Sequence, residues 1–394
     1  MIGNGEDADV IVVGLGAMGS SALWRLAARG VSVIGIEQFT PGSDRGGSHG
    51  ESRIIRTAYT EGAKYVPLVR EAWRLWRELE RVSGGGLLYR TGALSLAPAG
   101  SPRATGPLAA AREYGLACEL LSDSEIRARF PQLVVPDGHG GVLDADAGYL
   151  RAEAAVAAAV AAARASGARV LEGTGVVRVV ADADRPSVVL ADGRRLTARH
   201  VMVAAGGWLR KLVPSVGRHV RVERRVMAWF RVPGAGLDRA AYAGDAMPVF
   251  MGGDNVGHDW YGFPSVDGET VKLGVHPWSE AAEEVDLDRG HRPPDAADER
   301  RFAAIAGRVL VGVDPTPVRM TACMQDHTPD GDFLVGPHRD APGLTLLGGF
   351  SGHGFKFASV MGDVAADLAL TGRTPRDIRA FDPHRFDGGA GAVI

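Results

Sequence analysis

The segment from Asp9 to Phe39 constrains the fold more than any other part of the chain. It reads DVIVVGLGAMGSSALWRLAARGVSVIGIEQF, which predicts a buried strand, a tight turn, a helix and a second strand. Gly14, Gly16 and Gly19 form the pattern G-x-G-x-x-G between the first strand and the helix. Such glycines allow the turn, the approach of a pyrophosphate and close packing of helix on strand, while helix N–H groups face the phosphates. The segment therefore predicts a Rossmann-type dinucleotide site.

An acidic residue at the end of the second strand narrows the choice of dinucleotide. Glu37 follows Gly19 by about 20 residues, the spacing at which a carboxylate accepts hydrogen bonds from ribose hydroxyls. A carboxylate there disfavours a ribose that carries a phosphate. The pattern thus favours NAD or FAD over NADP.

The chain after Glu37 favours a flavin. A nicotinamide dehydrogenase usually continues with another strand and helix, whereas this chain enters the loop TPGSDRGGSHGESRIIRTAY at 40–59. A glycine-rich loop of this kind can supply backbone donors to a flavin ring. Two later segments, RHVMVAAGGWLRKL and LTLLGGFSGHGFKFASVMGDVAADLAL, repeat the order strand, glycine turn, helix. We expect the three glycine turns to converge on one cofactor, with the helix after Gly354 facing negative charge on a reduced ring.

Composition sets the remaining limits. The chain has 394 residues, 45% of them hydrophobic, and a net charge of -3, which indicates a soluble protein of two domains without a nucleic-acid or membrane partner. Two cysteines cannot form a disulfide framework, and the N-terminus lacks the pattern of a signal peptide, so we expect a cytoplasmic location. Arginine supplies most of the 44 basic residues, and the only lysines are Lys64, Lys211, Lys272 and Lys356.

Two other classes of protein match short parts of the sequence. The run GGSHG at 46–50 satisfies the pattern of a serine-hydrolase nucleophile elbow, but such an elbow needs a strand before it and a helix after it. Cys323 and His327 lie close together, but no second pair of ligands stands at zinc spacing. We therefore expect no metal site and treat a hydrolase as a remote alternative.

Five motifs carry a resemblance to a known family. They are SHGESRIIRTAYTEGAKYVPL, WYGFPS, VKLGVH, ACM and GFSGHGFKF. In this order they resemble the monomeric sarcosine oxidase and N-methyltryptophan oxidase family, and the similarity runs from Asp9 to about Ile378. The chain departs from the family at Gln325, where relatives have a tyrosine, and at Ser48, where many relatives have a histidine.

The resemblance implies roles for individual residues. FAD would be joined by a thioether to Cys323, as an 8α-S-cysteinyl flavin. Arg56 and Lys356 would bind the substrate carboxylate, which also suits a planar fork beside a second positive charge. Lys272 would activate O2, and the remaining active-site residues would be His276 and Tyr261.

Motifs and resemblance together give the set of residues expected at the cofactor. These are Gly14, Gly16, Ala17, Met18, Gly19, Glu37, Ser48, His49, Arg53, Ile54, Val176, Gly206, Trp208, Cys323, Phe350, Gly352, His353, Gly354, Phe355 and Lys356.

The expected fold is a mixed α/β (α+β) architecture of two domains. A Rossmann-like FAD-binding domain is predicted from 1–88, 149–221 and 325–394. A substrate domain with a large, mostly antiparallel sheet is predicted from 89–148 and 222–324, because runs such as RVMAWFRV, MPVFM and VKLGV read as short strands.

The expected function is that of a flavin-dependent oxidase. Its substrates would be secondary amines such as N-methyl or cyclic amino acids, oxidised to an imine while O2 is reduced to H2O2. An FAD-dependent dehydrogenase, or an oxidase of another amino or hydroxy acid, remains open as an alternative. The resemblance favours a monomer.

Overall fold

The computed structural model describes residues 7–59, 62–182, 185–233, 239–253, 258–277 and 283–387. Within these ranges the helices are α1 (Ala17–Ala27), α2 (Val66–Ser83), α3 (Pro102–Tyr114), α4 (Asp123–Arg129), α5 (Ala152–Ala165), α6 (Leu209–Leu212), α7 (Pro214–Gly217), α8 (Ala296–Val309) and α9 (Ala358–Thr371). The strands are β1 (Ala8–Val13), β2 (Val33–Ile36), β3 (Ser52–Ile55), β4 (Leu88–Tyr89), β5 (Ala93–Pro98), β6 (Cys118–Leu121), β7 (His139–Asp144), β8 (Gly148–Arg151), β9 (Arg169–Leu171), β10 (Val176–Val180), β11 (Ser187–Leu190), β12 (Arg195–Val203), β13 (Arg221–Arg231), β14 (Val249–Gly253), β15 (His258–Phe263), β16 (Thr270–Pro277), β17 (Arg319–His327), β18 (Leu334–His338) and β19 (Ala341–Gly348).

The first sheet has a parallel centre, as the Rossmann pattern predicts. β1 pairs in parallel with β2 and β12, and β12 pairs in parallel with β19. β9 continues the parallel part beyond β2, while β10, β11 and β18 add antiparallel strands at its margins. The central strands are buried on both faces because helices and loops cover both sides.

Four helices form a layer against this sheet. α1 packs on α5 and α9, and α2 packs on the same two helices. Their buried residues join those of β1 and β12 in one hydrophobic core. The alanine-rich run at 152–165 is α5, a helix packed within this layer, as its composition predicts.

The second sheet is mostly antiparallel, also as expected. Its order is β17-β13-β16-β15-β14-β5-β7-β6, and only the pairing of β14 with β5 is parallel among these described strands. Its core is separate from that of the Rossmann sheet. A small sheet of β3, β8 and β4 completes the described strands, and β3 carries the RIIR motif.

The predicted domain limits remain a prediction. β17 runs through the proposed limit between 324 and 325, and it stays paired with β13 along its whole length. This strand therefore brings Cys323 and its neighbours in the second sheet against the loops of the first.

In the described part of the chain, no helix is both long enough and apolar enough to cross a bilayer.

Candidate active site

A cavity of about 440 Å³ lies where the carboxyl ends of the central parallel strands meet the second sheet. Ligands of α/β sheets bind at this edge because the loops there leave a crevice. Most of the predicted cofactor residues line it, namely Gly14, Gly16, Ala17, Met18, Glu37, Ser48, Arg53, Val176, Gly206, Trp208, Phe350, Gly352, Gly354 and Phe355.

The glycine turn after β1 leaves no room for side chains. Gly14 has φ of +85°, and a Cβ there would lie 2.7 Å from the carbonyl oxygen of Ala204. A Cβ on Gly19 would lie 1.8 Å from the carbonyl oxygen of Gly14, so α1 packs directly on the turn. The turn and the start of α1 thus form a backbone cradle with N–H groups at its edge.

Two polar side chains border this cradle. The Glu37 carboxylate accepts hydrogen bonds from the backbone N–H groups of Leu15 at 2.8 Å and Phe39 at 3.0 Å. Ser48 Oγ accepts the N–H of Ala17 at 3.0 Å, so the loop supplies a cap that α1 lacks locally. Ser48 therefore lies at the end of α1 where a phosphate would also accept hydrogen bonds.

Ser48 is not in a nucleophile elbow. Residues 46–50 lie in a loop that leads into β3, without the strand, turn and helix of that motif. Among the described residues, no group of three His, Cys, Asp or Glu is placed to hold a metal ion.

The segment from Gly50 to Ser52 is held from two sides by opposite charges. Lys272 Nζ, on β16, donates hydrogen bonds to the carbonyl oxygens of Gly50 at 2.7 Å and Ser52 at 2.6 Å. Glu153, at the start of α5, accepts the N–H of Gly50 at 2.7 Å and that of Glu51 at 3.0 Å. This clamp fixes the loop between the two sheets, and Glu51 adopts a left-handed φ of 71° within it.

Burial changes the proton affinity of both charged groups in the clamp. Lys272 is 1% exposed, and desolvation lowers its pKa well below the ordinary value, with a smaller contribution from Arg53. Burial would raise the pKa of Glu153, but N–H groups of Glu51 and Gly50 outweigh it and hold that pKa below its usual value. The Lys272 ammonium also lies 3.9 Å from the centroid of the Phe263 ring.

Cys323 and Tyr261 lie close to this clamp. Cys323 is 1% exposed and packs with Met227 and Trp229. Burial raises the pKa of its thiol, while the charges of Arg53, Arg225 and Lys272 act in the opposite direction. Burial likewise raises the pKa of Tyr261 to about 12.

Arg56 and Lys356 both approach the ring of Tyr59. The Arg56 Cζ lies 5.0 Å and the Lys356 Nζ 5.1 Å from its centroid. Lys356 also donates to the Tyr59 hydroxyl at 3.2 Å. Sequence reasoning missed Tyr59, although it follows Arg56 by three positions in the RIIRTAY motif, because the pattern gives no sign of which face it occupies.

Two contacts position these cations from outside the site. The Asp144 carboxylate accepts the N–H groups of Thr57 at 2.6 Å and Ala58 at 2.9 Å, which fixes the chain directly after Arg56. Trp76, on α2, donates its indole N–H to the Lys356 carbonyl at 2.8 Å. Hydrogen bonds therefore fix the backbone at or next to both cations.

The residues after Cys323 reach the cavity from β17. Gln325 lines it, and its buried Oε1 has no hydrogen-bond partner among the described residues. That oxygen lies 2.9 Å from the position of a Cβ on Gly352, whose φ is +76°. Gly352 also lines a second cavity of about 500 Å³, together with His327, Asp330, Gly331, Asp332, Ser351 and His353.

The remaining predicted residues are placed around the cavity rather than in its wall. Ile54 lies on β3, and the buried His49 has an Nε2 atom without a partner among the described residues. Burial, aided by Arg53, lowers the pKa of His49 to about 4, so its ring is neutral. His276 belongs to β16, but its side chain lies outside the described part of the chain.

These features fit a flavin dinucleotide. The cradle and the N-terminus of α1 suit a pyrophosphate, and Glu37 stands where ribose hydroxyls can donate to it. The cavity continues to Gly352 and Phe355, where the unpartnered Gln325 oxygen can accept a hydrogen bond. The fold and site define a dinucleotide-dependent oxidoreductase.

Comparison with known proteins narrows this class. Residues 9–368 match the model of the family described as FAD dependent oxidoreductase. Monomeric sarcosine oxidase from Streptomyces avermitilis is 35% identical over 384 residues, which are 96% of this chain and 97% of that protein. N-methyl-L-tryptophan oxidase from Citrobacter koseri is 33% identical over 390 residues, 96% of this chain and 99% of that protein. The chain belongs to the FAD-dependent oxidoreductase family, in the group of these two oxidases.

A solved structure shows the same fold. The open form of NikD, described as an unusual amino acid oxidase essential for nikkomycin biosynthesis, superposes with a TM-score of 0.84 at 27% identity. The match covers 96% of this chain and 98% of NikD.

The buried carboxylate of Asp326 gives a pH-dependent prediction. Burial raises its pKa to about 6, although the Gly349 N–H at 2.7 Å opposes the shift. The pKa of this group in the unfolded chain is about 3.9. At low pH the carboxyl is protonated in both states and costs no stability, whereas ionising it in the folded state above pH 6 lowers the free energy of unfolding by about 1–3 kcal/mol. Asp326→Asn should therefore gain stability over the parent as pH rises from 4.5 to 7.5, measured by denaturant unfolding.

Asp267→Asn is the matched control for that measurement. Asp267 accepts the N–H groups of Glu269 and Thr270, and its pKa is lowered despite partial burial. Both its folded and unfolded pKa values thus lie below the range tested, so its effect should stay constant between pH 4.5 and 7.5. A constant difference for Asp326→Asn as well would contradict the raised pKa.

Proposed function

We propose that this protein is a flavin-dependent oxidase of secondary amines that carry a carboxylate, such as N-methyl or cyclic amino acids. The observation that carries the proposal is the pair of cations, Arg56 and Lys356, gathered on Tyr59 beside the cofactor cavity. Such a pair suits an amino-acid carboxylate. The names of the related proteins, which refer to sarcosine, N-methyl-L-tryptophan and an amino acid, support the same class of substrate.

The protein's part in the reaction is binding and orientation. Bound FAD supplies a two-electron acceptor for the C–H bond next to the amine nitrogen. Arg56 and Lys356 would hold the carboxylate, so that the amine end is presented to the cavity in a fixed direction. Tyr261, which stays protonated at neutral pH, would wall the substrate with His276. The resulting imine would then hydrolyse in water.

Cys323 is the proposed site of covalent attachment. An S–C bond would replace the thiol hydrogen and one hydrogen of the 8-methyl group, and the two electrons released would pass to O2. The cations Arg53, Arg225 and Lys272 favour the thiolate that such a reaction needs. β17 lies against the loop at 46–47, because a Cβ on Gly47 would lie 2.6 Å from the Met324 carbonyl oxygen. Cys323, the neighbour of Met324, therefore lies near this glycine-rich loop, which supports the proposed role.

Lys272 is the proposed site of O2 activation. A fixed positive charge in a site that excludes water stabilises the superoxide that forms when one electron reaches O2. Its two carbonyl partners fix the position of the Lys272 ammonium, although burial lowers its pKa. The second product would be H2O2. We also propose that the enzyme acts as a monomer in the cytoplasm.

The proposed function is tested by a screen of the purified protein with sarcosine, other N-methyl amino acids and cyclic amino acids. We expect a flavin absorption spectrum, together with O2 consumption and an equal amount of H2O2 with at least one substrate. Dye reduction without O2 consumption would instead identify a dehydrogenase. Oxidation of a hydroxy acid in preference to every amine would contradict the proposal.

Covalent attachment is tested by Cys323→Ser. Acid precipitation of the parent should leave the yellow colour in the pellet, whereas the variant should release it to the supernatant, because serine cannot form the thioether. Cys118→Ser is the matched control, since Cys118 is half-buried on β6 and burial raises its pKa to about 12. Release of flavin from the parent would contradict attachment.

The role of Lys272 is tested by Lys272→Met, which keeps the length of the side chain and removes the charge. The rate at which O2 reoxidises the substrate-reduced enzyme should fall by about 10²–10³. In the parent this rate should decline as pH rises through the lowered pKa of Lys272, and the variant should lack that decline.

The matched control is Lys64→Met, which removes a half-exposed lysine paired with Asp332. It should reoxidise at the parental rate. Equal rates for Lys272→Met and Lys64→Met would exclude the proposed role of Lys272.

A further inference from the structure

We propose that Tyr59 is a positioning residue that sets the spacing of Arg56 and Lys356 for a carboxylate, and that His353 sets the direction of the Tyr59 hydroxyl. This inference rests on the proposed function, because it assumes that the two cations bind the substrate carboxylate. It assigns a specificity-determining role to a residue without charge.

The ring of Tyr59 is the part of the structure that the two cations share. Tyr59 is 2% exposed, and its ring packs against Tyr65 at 5.0 Å and Phe357 at 5.5 Å between centroids. Because its neighbours fix the position of the ring, the ring determines where the two cations lie. The Arg56 guanidinium lies near this ring and the Lys356 ammonium lies at its hydroxyl edge, so the buried Tyr59 is a common reference point for both charges.

The hydroxyl of Tyr59 connects Lys356 to His353. His353 Nε2 lies 3.0 Å from the Gly331 carbonyl oxygen, which can only accept a hydrogen bond, so Nε2 carries the proton. In the neutral ring Nδ1 is then an acceptor, and the Tyr59 O–H donates to it at 2.7 Å. The lone pairs of the Tyr59 oxygen are thus left to accept from Lys356 Nζ at 3.2 Å.

Lys356 is bound to the same residue a second time. Its Nζ donates to the His353 carbonyl oxygen at 2.7 Å. His353 therefore contacts Lys356 directly through its backbone and indirectly through Tyr59. These two hydrogen bonds fix the position of the Lys356 ammonium relative to Tyr59 and His353.

The test compares Tyr59→Phe with Tyr65→Phe in the flavin-loaded protein. Both variants lose one buried hydroxyl from the same aromatic cluster, but that of Tyr65 donates to Asp332 instead of serving Lys356. The probes are acetate and its neutral isostere acetamide, whose dissociation constants are read from perturbation of the visible flavin absorption.

We expect Tyr59→Phe to raise the dissociation constant of acetate about tenfold, since a hydrogen bond to a charged group is lost. Acetamide affinity should be unchanged, and Tyr65→Phe should stay within about twofold of the parent for both probes. With the best amino-acid substrate, Tyr59→Phe should raise KM more than it lowers kcat. Equal acetate affinities for Tyr59→Phe and Tyr65→Phe would overturn the inference.

Two variants at His353 keep the inference testable if Tyr59→Phe does not fold. His353→Leu removes the acceptor of the Tyr59 hydroxyl and should weaken acetate binding as Tyr59→Phe does. His353→Asn places an amide oxygen where Nδ1 stands and should restore most of the affinity. Weak binding by both, or by neither, would overturn the role of His353.

Failure of the proposed function would look different. The parent would then show a flavin spectrum but no perturbation by acetate and no oxidation of any N-alkyl amino acid. Normal binding by the parent with no difference among the variants would instead refute only the positioning role.

Discussion

The active site depends on the clamp that holds the Gly50–Ser52 segment. Its N–H groups donate to Glu153 from the helical layer, and its carbonyl groups accept from Lys272 in the second sheet. Lys272 is buried and Glu153 is half-buried, so both charges are stabilised by the partners that the peptide groups supply. Loss of either charge would leave peptide groups of this segment without their partners and free the loop that leads to Arg53 and Arg56. The same clamp therefore fixes both the interface between the two sheets and the shape of the site.

The fold brings positive charge together around the cavity, although the chain as a whole has a negative net charge. The chain as a whole carries -3, yet the charges of Arg53, Arg225 and Lys272 all act on the Cys323 thiol, and Arg56 and Lys356 approach Tyr59. This local field suits an anionic substrate, a thiolate and a reduced flavin alike, because all three are stabilised by nearby cations. A single electrostatic environment would therefore serve the proposed binding of substrate, the proposed covalent attachment and the proposed reaction with O2.

The sequence predicts the fold well where periodicity and glycine geometry are local. The Rossmann unit, the antiparallel strands of the second sheet and the packed helix α5 all follow from short patterns and are confirmed. The second strand of this unit, Val33–Ile36, follows the turn at 28–30 after α1. Tyr59, Glu153 and Asp326 could not be predicted, since their roles depend on partners 102 to 297 residues away or on burial alone.

The position of β19 governs the order in which the molecule can fold. This strand comes from the last part of the chain, yet Leu344–346 pair beside β12 at the centre of the Rossmann sheet. Contacts between such distant segments form slowly because a long loop must close first. The sheet stays incomplete until β19 has been synthesised, and the edge of β12 needs protection from aggregation until then. The cofactor cavity, which Leu347 and Phe350 line, is therefore complete only after β19 has joined the sheet.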